Sequence, residues 1–260
     1  MIWKRIAPLL PFLALLLAGA APAQDSSQQP PKPAQAPHLF GGVERMANDQ
    51  LQVVDLLQAG KWKEAKALAH LQLLVAAGYV DQYPGVAATA LALDALADAG
   101  LGDEKPAVCR WNAAQGLDPK LLNADLSSFG APGQLLQSHP LKASPPDAGQ
   151  SRQDLPEAHM DKGEKMAGES HAPEYLSQPR PEYPPMARQA KQEGKVVVES
   201  ILEKDGSVSH VRVLEHQPLG LDVSALYAVC GWRFKPATLK GEPVRAYYVL
   251  TVNFKIEKGP

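Results

Sequence analysis

The chain has 260 residues, of which 45% are hydrophobic, and its formal net charge is -2. This length allows one to three domains, and the apolar fraction is sufficient for a core. The near-neutral charge argues against nucleic acid as a partner of the whole chain. The 24 prolines are unevenly distributed, which predicts linkers beside folded parts.

The N-terminus has the pattern of an export signal. Lys4 and Arg5 precede an uncharged apolar run over residues 6–21, and Ala21-Pro22-Ala23 has the small-x-small pattern of a signal-peptidase site. The apolar run is shorter than the about 20 residues of a membrane-spanning helix. We therefore predict a signal peptide over residues 1–23, with an uncleaved N-terminal anchor as the alternative.

Two segments are predicted to be linkers. Residues 24–38 are polar and proline-rich, so they have no apolar face to bury and are predicted to be disordered. Residues 126–176 lack helical periodicity and are predicted to be a flexible linker. The isolated histidines of that linker are expected to be solvated rather than metal ligands.

Residues 39–125 are rich in Ala and Leu and have the periodicity of helices. Gly60 interrupts the helical pattern, as a turn between two helices does. Gly100 lies 40 residues after Gly60, and Glu104 lies 40 residues after Glu64. This all-α helical-hairpin region resembles tetratricopeptide repeats, although its spacing exceeds the about 34 residues of that repeat. A partner-binding module and an ordinary helical bundle without a ligand both remain open.

Two cysteines, Cys109 and Cys230, lie in different segments. An exported protein meets an oxidising compartment, which permits a disulfide. Cys230 also follows Leu226 on an apolar helical face, which favours a small buried thiol. The sequence leaves open whether the two residues pair.

Residues 177–258 have the order helix, strand, strand, helix, strand. Pro184 and Pro185 are suited to the first turn of a helix, and Asp205-Gly206 predicts a tight hairpin turn between two apolar runs. A last run over residues 244–254 alternates apolar and polar residues, as a half-buried strand does. The expected α+β domain packs two helices on one face of a three-stranded antiparallel sheet.

This segment resembles the C-terminal domain of TonB-family energy transducers. Any one of its dipeptides would be uninformative, but their order along about a third of the chain is specific. The principal motifs are Tyr183-Pro184, Glu193-Gly194, Asp205-Gly206 and Trp232-Arg233-Phe234-Lys235-Pro236-Ala237.

The resemblance implies a periplasmic, non-enzymatic protein that binds an extended peptide of an outer-membrane receptor in energy-coupled transport. Because a sheet edge has unpaired backbone groups, it can accept such a peptide as an added strand. The expected partner-binding residues are Arg180, Tyr183, Arg245, Tyr247 and Tyr248. The expected structural residues are Tyr183, Pro184, Gly194, Asp205, Gly206, Trp232, Phe234 and Pro236.

Departures from the family pattern leave an alternative open. Residues 6–21 contain no histidine, whereas the membrane helix of a transducer uses one toward an inner-membrane motor complex. That complex is a partner only if the N-terminus stays uncleaved. The alternative is a soluble exported scaffold that binds one partner with its helices and another, or peptidoglycan, with its C-terminal domain.

Catalysis is not indicated. The sequence has no nucleophile elbow, zinc-protease motif, dinucleotide-binding loop or phosphate-binding loop. Asp205 is explained by the turn and Asp222 by the start of a helix. We predict no catalytic residue, no metal ligand and no cofactor.

Overall fold

The computed structural model of the chain describes residues 42–141 and 170–256. The predicted signal peptide over residues 1–23 and the predicted disordered segment over residues 24–38 lie outside the described residues. The same holds for residues 142–169 of the predicted linker.

The first described part is a group of helices that packs through alanine and leucine side chains. Two tight turns separate paired helices, and each contains a glycine with positive φ, +71° at Gly60 and +87° at Gly102. The helices are α1 Gly42–Gln58, α2 Trp62–Ala77, α3 Pro84–Leu101, α4 Glu104–Leu117 and α5 Gly130–Gln137, with 3-10 turns at Pro119–Asn123 and Ser127–Phe129.

Gly100 is not the counterpart of Gly60. It lies inside α3, and a Cβ there would come within 2.2 Å of the Trp62 ring. Gly102 occupies the turn instead. The glycine at position 100 is therefore explained by the close approach of an aromatic side chain, and the tetratricopeptide-like repeat is not confirmed.

The predicted linker begins later than expected. Residues 127–137 form a 3-10 turn and helix α5, and Phe129 and Leu136 are buried. A Cβ at Gly133 would lie 2.0 Å from the Leu126 carbonyl oxygen. This glycine allows helix α5 to pack closely, although the segment lacks the helical periodicity that would have predicted a helix.

The second described part is built on an antiparallel sheet, which confirms the α+β class. The elements are β1 Ser170–His171, β2 Glu174–Ser177, α6 Pro185–Gln189, β3 Gly194–Leu202, β4 Val208–Glu215, α7 Leu221–Cys230, β5 Arg233–Lys235, β6 Thr238–Leu239, β7 Glu242–Pro243 and β8 Ala246–Phe254. The main sheet has the order β4-β3-β8, while β2 pairs with β5 and β6 lies between β1 and β7. The linker prediction therefore also fails at residues 170–176.

The register of β3 and β8 explains the core of the sheet. Val198 pairs with Leu250 and Val196 with Val252, and all four side chains are buried. Ser200, where an apolar residue was expected, is also buried and donates its hydroxyl to the Tyr248 carbonyl at 3.0 Å. The buried hydroxyl is thus satisfied, and its cost is correspondingly reduced.

The helices and the sheet do not form separate cores. Their buried side chains belong to one hydrophobic cluster, helix α4 packs against β4, and α7 packs against both α4 and β4. Cys109 of α4 and Cys230 of α7 form a disulfide, which answers the question that the sequence left open. A separate helical-hairpin domain is therefore not confirmed.

Helix α3 is long and apolar enough to cross a membrane, but 72% of it is buried inside the fold. It also carries two buried aspartates, Asp94 and Asp98. A helix that is buried on most of its surface is typical of the centre of a packed bundle.

Candidate functional site

The last strand, β8, forms one edge of the main sheet. It pairs with β3 along its whole length, from Ala246 opposite Leu202 to Phe254 opposite Gly194. Among residues 42–141 and 170–256, no strand pairs with the other side of β8. The backbone N–H and C=O groups on that side are positioned to accept an extended chain.

The two faces of β8 differ. Ala246, Tyr248, Leu250, Val252 and Phe254 point into the core and are buried, in strict alternation with side chains on the other face. Those outer side chains are neutral, and Val249 among them is 41% exposed. The outer face therefore offers apolar, hydroxyl and amide groups to a chain beside β8.

An extended segment over residues 174–183 accompanies β8 on the core face. At its start, the Tyr175 ring lies 4.8 Å from Phe234, which in turn lies 5.9 Å from Tyr248 near the beginning of β8. At its end, the Tyr183 ring lies edge-on 5.5 Å from Phe254 at the end of β8. The segment thus runs in the same direction as β8.

Trp232 holds the middle of this segment. Its ring nitrogen donates to the Pro179 carbonyl at 3.0 Å, and its ring lies 5.8 Å from Tyr175. Trp232 and Phe234 are each 1% exposed, so burial of each contributes about 2–3 kcal/mol. Tyr175 and Pro179 were not singled out from the sequence, because their role depends on this distant contact.

The turn between β3 and β4 is fixed by β5. Gly206 has φ of +78°, and its carbonyl accepts a hydrogen bond from the Phe234 N–H at 2.9 Å. The Asp205 carboxylate accepts from the Ser207 N–H at 2.9 Å and from the Ser207 hydroxyl at 2.5 Å. These bonds, led by that of the hydroxyl, lower the pKa of Asp205 to about 2.

The predicted partner-binding residues are placed differently from one another. Arg180 is exposed, and Tyr247 is half-buried on the outer face of β8. Arg245 is half-buried and forms a bidentate pair with Glu203, with distances of 2.9 and 3.0 Å. Tyr183 is half-buried and donates its hydroxyl to the Gln192 carbonyl.

Tyr248 requires a correction. Its side chain is 2% exposed and packs against Phe234, so it belongs to the core and not to a peptide-binding surface. Burial raises the pKa of its phenol to about 12. The alternation of β8 places Tyr247, and not Tyr248, on the accessible face.

The other structural residues lie at or beside the ends of helices and strands. Pro184 is buried and precedes α6, while Pro236 directly follows β5. A Cβ at Gly194, the first residue of β3, would lie 2.3 Å from the side-chain oxygen of Gln217. Each position therefore restricts which residue fits there.

The chemistry of the site is that of binding. Burial raises the pKa of both Tyr175 and Tyr183, so these phenols are neutral at physiological pH. Within the described ranges, no group of three or more His, Cys, Asp or Glu side chains is placed to hold a metal ion. What the arrangement offers is backbone hydrogen bonding beside aromatic side chains.

The family model described as Gram-negative bacterial TonB protein C-terminal matches residues 179–256. Residues 179–256 form a TonB C-terminal domain. The matched range begins at the extended segment held by Trp232 and ends two residues after β8. The TonB domain therefore contains the open edge and the second half of the segment beside it.

Two relatives resemble this TonB domain. Protein TonB of Vibrio cholerae serotype O1 is 35% identical over 82 residues, which are 31% of this chain and 34% of that protein. The solution NMR structure of the Pseudomonas aeruginosa TonB CTD is 32% identical and is covered to 90%, over 34% of this chain, with a TM-score of 0.30. The chain thus spans about a third of the length of the curated relative it matches.

Proposed function

We propose that this protein is a non-enzymatic TonB-like protein of the periplasm whose β8 edge binds an extended peptide of an outer-membrane receptor, in energy-coupled transport. The observation that carries the proposal is an edge strand with no strand partner among the described residues, inside a TonB C-terminal domain. Backbone pairing gives such a complex its affinity, and side chains beside the strand give it selectivity.

The residues that contact the peptide are those beside the open edge. Tyr247 and Val249 lie on the outer face of β8. Arg180 and Tyr183 belong to the extended segment that runs along the core face of β8. Arg245 stands at the start of β8, paired with Glu203. We retain Arg180, Tyr183, Arg245 and Tyr247 as contact residues and omit Tyr248.

A matched pair of variants tests this proposal. Val249 lies on β8 and is 41% exposed, and Leu214 lies on β4 and is 43% exposed. The two apolar side chains are therefore matched in exposure on the two edge strands of the main sheet. The probes are labelled synthetic peptides that copy the N-terminal periplasmic segments of the outer-membrane receptors of the same cell. Since a cross-strand contact is worth up to about 1 kcal/mol, Val249→Ser weakens binding about fivefold, whereas Leu214→Ser leaves it unchanged.

Amide chemical shifts provide the second readout. Added peptide is expected to shift the β8 amides and to leave the β4 amides in place. Equal effects of the two variants, or perturbation of β4 alone, would exclude β8 as the binding edge.

The location of the protein distinguishes transport from the alternative of a soluble exported scaffold. The disulfide supports an oxidising compartment, in agreement with the export signal. Fractionation followed by N-terminal mass analysis decides the rest. A mature N-terminus at Gln24 in the soluble fraction favours the scaffold, and an intact N-terminus in the membrane fraction favours transduction.

A further inference from the structure

The helices α1–α5, which we name the helical module, meet the TonB domain along helix α7. At the start of α7, a Cβ at Gly220 would lie 2.5 Å from the backbone of Ala77, the last residue of α2. At its end, Cys230 is bonded to Cys109 of α4. Both ends of α7 are therefore in direct contact with the module.

A buried charge cluster in the module is completed by a residue of α7. Lys66 lies 2.5 Å from the fully buried Asp94 and 2.7 Å from Asp98, which also pairs with Arg110. The Tyr227 ring covers this cluster, with its centroid 3.8 Å from the Arg110 guanidinium carbon and 5.3 Å from the Lys66 ammonium. Because both cations are largely removed from water, their electrostatic interaction with the face of the aromatic ring is favourable.

A second contact is made by the segment that leads into α6. Glu182 accepts a hydrogen bond from the Ser224 hydroxyl through its carbonyl, and its carboxylate lies 2.8 Å from Nε2 of His70 in α2. A Cβ at Gly78 would lie 2.6 Å from the sulfur of Met186, so α6 rests on the end of α2. These contacts are distant from the disulfide and independent of it.

The connector between the two parts, residues 142–169, is anchored at both ends. Gln115 of α4 accepts from the Leu141 N–H at 2.6 Å, and Asn112 donates to the His139 carbonyl at 2.8 Å. After the connector, Ser170–His171 pairs with Thr238–Leu239 of the TonB domain. Both ends of the connector thus join a single folded body.

We infer that the TonB domain is the ligand of the helical module within the same chain, and that their association does not depend on residues 142–169. This inference rests on the proposed function in one respect only. If β8 binds a receptor peptide, the distance over which it can do so does not depend on the length of residues 142–169. The module's face toward α7 is then occupied, and it is not a site for another protein.

Cleavage of the connector tests the inference. A recognition sequence for a site-specific protease is placed within residues 145–165 of the full chain, in a Cys109→Ala/Cys230→Ala background that removes the covalent link. After cleavage without denaturant, the two fragments are expected to co-elute in size-exclusion chromatography as one particle of unchanged size. Separate elution of two folded fragments would overturn the inference.

The same experiment is repeated with the disulfide intact, in case the double variant does not fold. The cleaved protein is then reduced with a phosphine under native conditions, and co-elution is again the expected result. A Tyr227→Ala variant reports on the interface itself, since it is expected to increase fragment dissociation at least tenfold, whereas Tyr227→Phe is not. Equal dissociation of the two variants would contradict the role given to the ring.

A deletion separates this inference from the proposed function. Removal of residues 145–165 is expected to leave both the size of the particle and its peptide affinity unchanged, and to leave receptor-dependent uptake within twofold of wild type. Loss of uptake with unchanged peptide binding would show that the connector is a spacer. Absence of peptide binding in the intact protein would defeat the proposed function but not the fragment association.

Discussion

The Arg110 guanidinium lies over the Tyr227 ring, with 3.8 Å between its central carbon and the ring centroid. Arg110 belongs to α4 and is held by Asp98, whereas Tyr227 belongs to α7 of the TonB domain. The Tyr227 ring also lies 4.8 Å from the His70 ring. One aromatic side chain thereby contacts charged or polar groups from two helices of the module.

Loss of this ring is expected to destabilise the whole protein. Tyr227→Ala removes buried area and the contact with two cations, so the free energy of unfolding should fall by about 3 kcal/mol. Tyr227→Phe keeps the ring and should cost less than about 1 kcal/mol. Urea unfolding monitored by circular dichroism measures both, and a small effect of the alanine variant would mean that the ring is not part of the stabilising interface.

Lys66 is expected to be indispensable to the buried cluster. Burial is the largest single effect and lowers the pKa of its ammonium, but Asp94, Asp98 and Tyr227 together outweigh it and the pKa is raised, so Lys66 is charged at neutral pH. Lys66→Met leaves a buried carboxylate short of its partner and should cost about 3–5 kcal/mol. Lys63→Met on the exposed side of α2 is the control, with an expected change below about 0.5 kcal/mol.

Gly206 is expected to be the least replaceable of the turn glycines. A Cβ there would lie 1.8 Å from the Phe234 carbonyl oxygen, in addition to the positive φ. Gly206→Ala should therefore cost more than about 3 kcal/mol. Gly241 has φ of +83° but nothing within 4 Å, so Gly241→Ala should cost only about 1 kcal/mol, and similar melting temperatures of the two variants would contradict the steric argument.

The disulfide is expected to contribute strongly to stability. Its cysteines are 121 residues apart, and loops of about this size give a predicted stabilisation of about 4–5 kcal/mol. Cys109→Ala/Cys230→Ala should lower the free energy of unfolding by about that amount. Reduced wild-type protein should match the double variant, and a gap of several kcal/mol between them would indicate that the alanines themselves disturb the packing.

The turn carboxylate predicts a dependence of stability on acid. The pKa of Asp205 is about 2 in the folded protein and about 3.8 in the unfolded chain, so folding favours its ionised form. Its contribution is full above pH 4 and is lost as the pH falls from about 4 to 2. Asp205→Asn should be less stable than wild type at pH 6, and the difference should shrink as the pH falls through about 2, the pKa in the folded protein; a difference that does not shrink over this range would assign the effect to something other than this ionisation.

The structural features that depend on residues close together in the sequence were predicted correctly. The alternation over residues 244–254 predicted a half-buried last strand, and Asp205-Gly206 predicted the hairpin turn. Both features are local, because a strand alternates every two residues and a tight turn requires particular backbone angles.

Contacts between distant segments were not predictable in the same way. Cys109 and Cys230 meet only because α4 docks on α7, and neither residue carries a local signal of that contact. The close approach of Gly133 to Leu126, inside the range predicted to be a linker, cannot be read from the sequence pattern. Assigning Tyr248 to a binding surface failed for a related reason, since the side chain is covered by Phe234 of β5, a strand that pairs with β2 outside the main sheet.

The position of the disulfide relative to β8 has a mechanical consequence. Force applied to β8 is transmitted along the backbone through β7, β6 and β5 to Cys230. From Cys230 the disulfide transmits it to Cys109 in α4. The polypeptide between the two cysteines, which includes β3, β4 and most of α7, lies off this route. Along the covalent backbone, tension on β8 therefore reaches the helices through the disulfide, while the hairpin of β3 and β4 receives force only through the hydrogen bonds between β3 and β8.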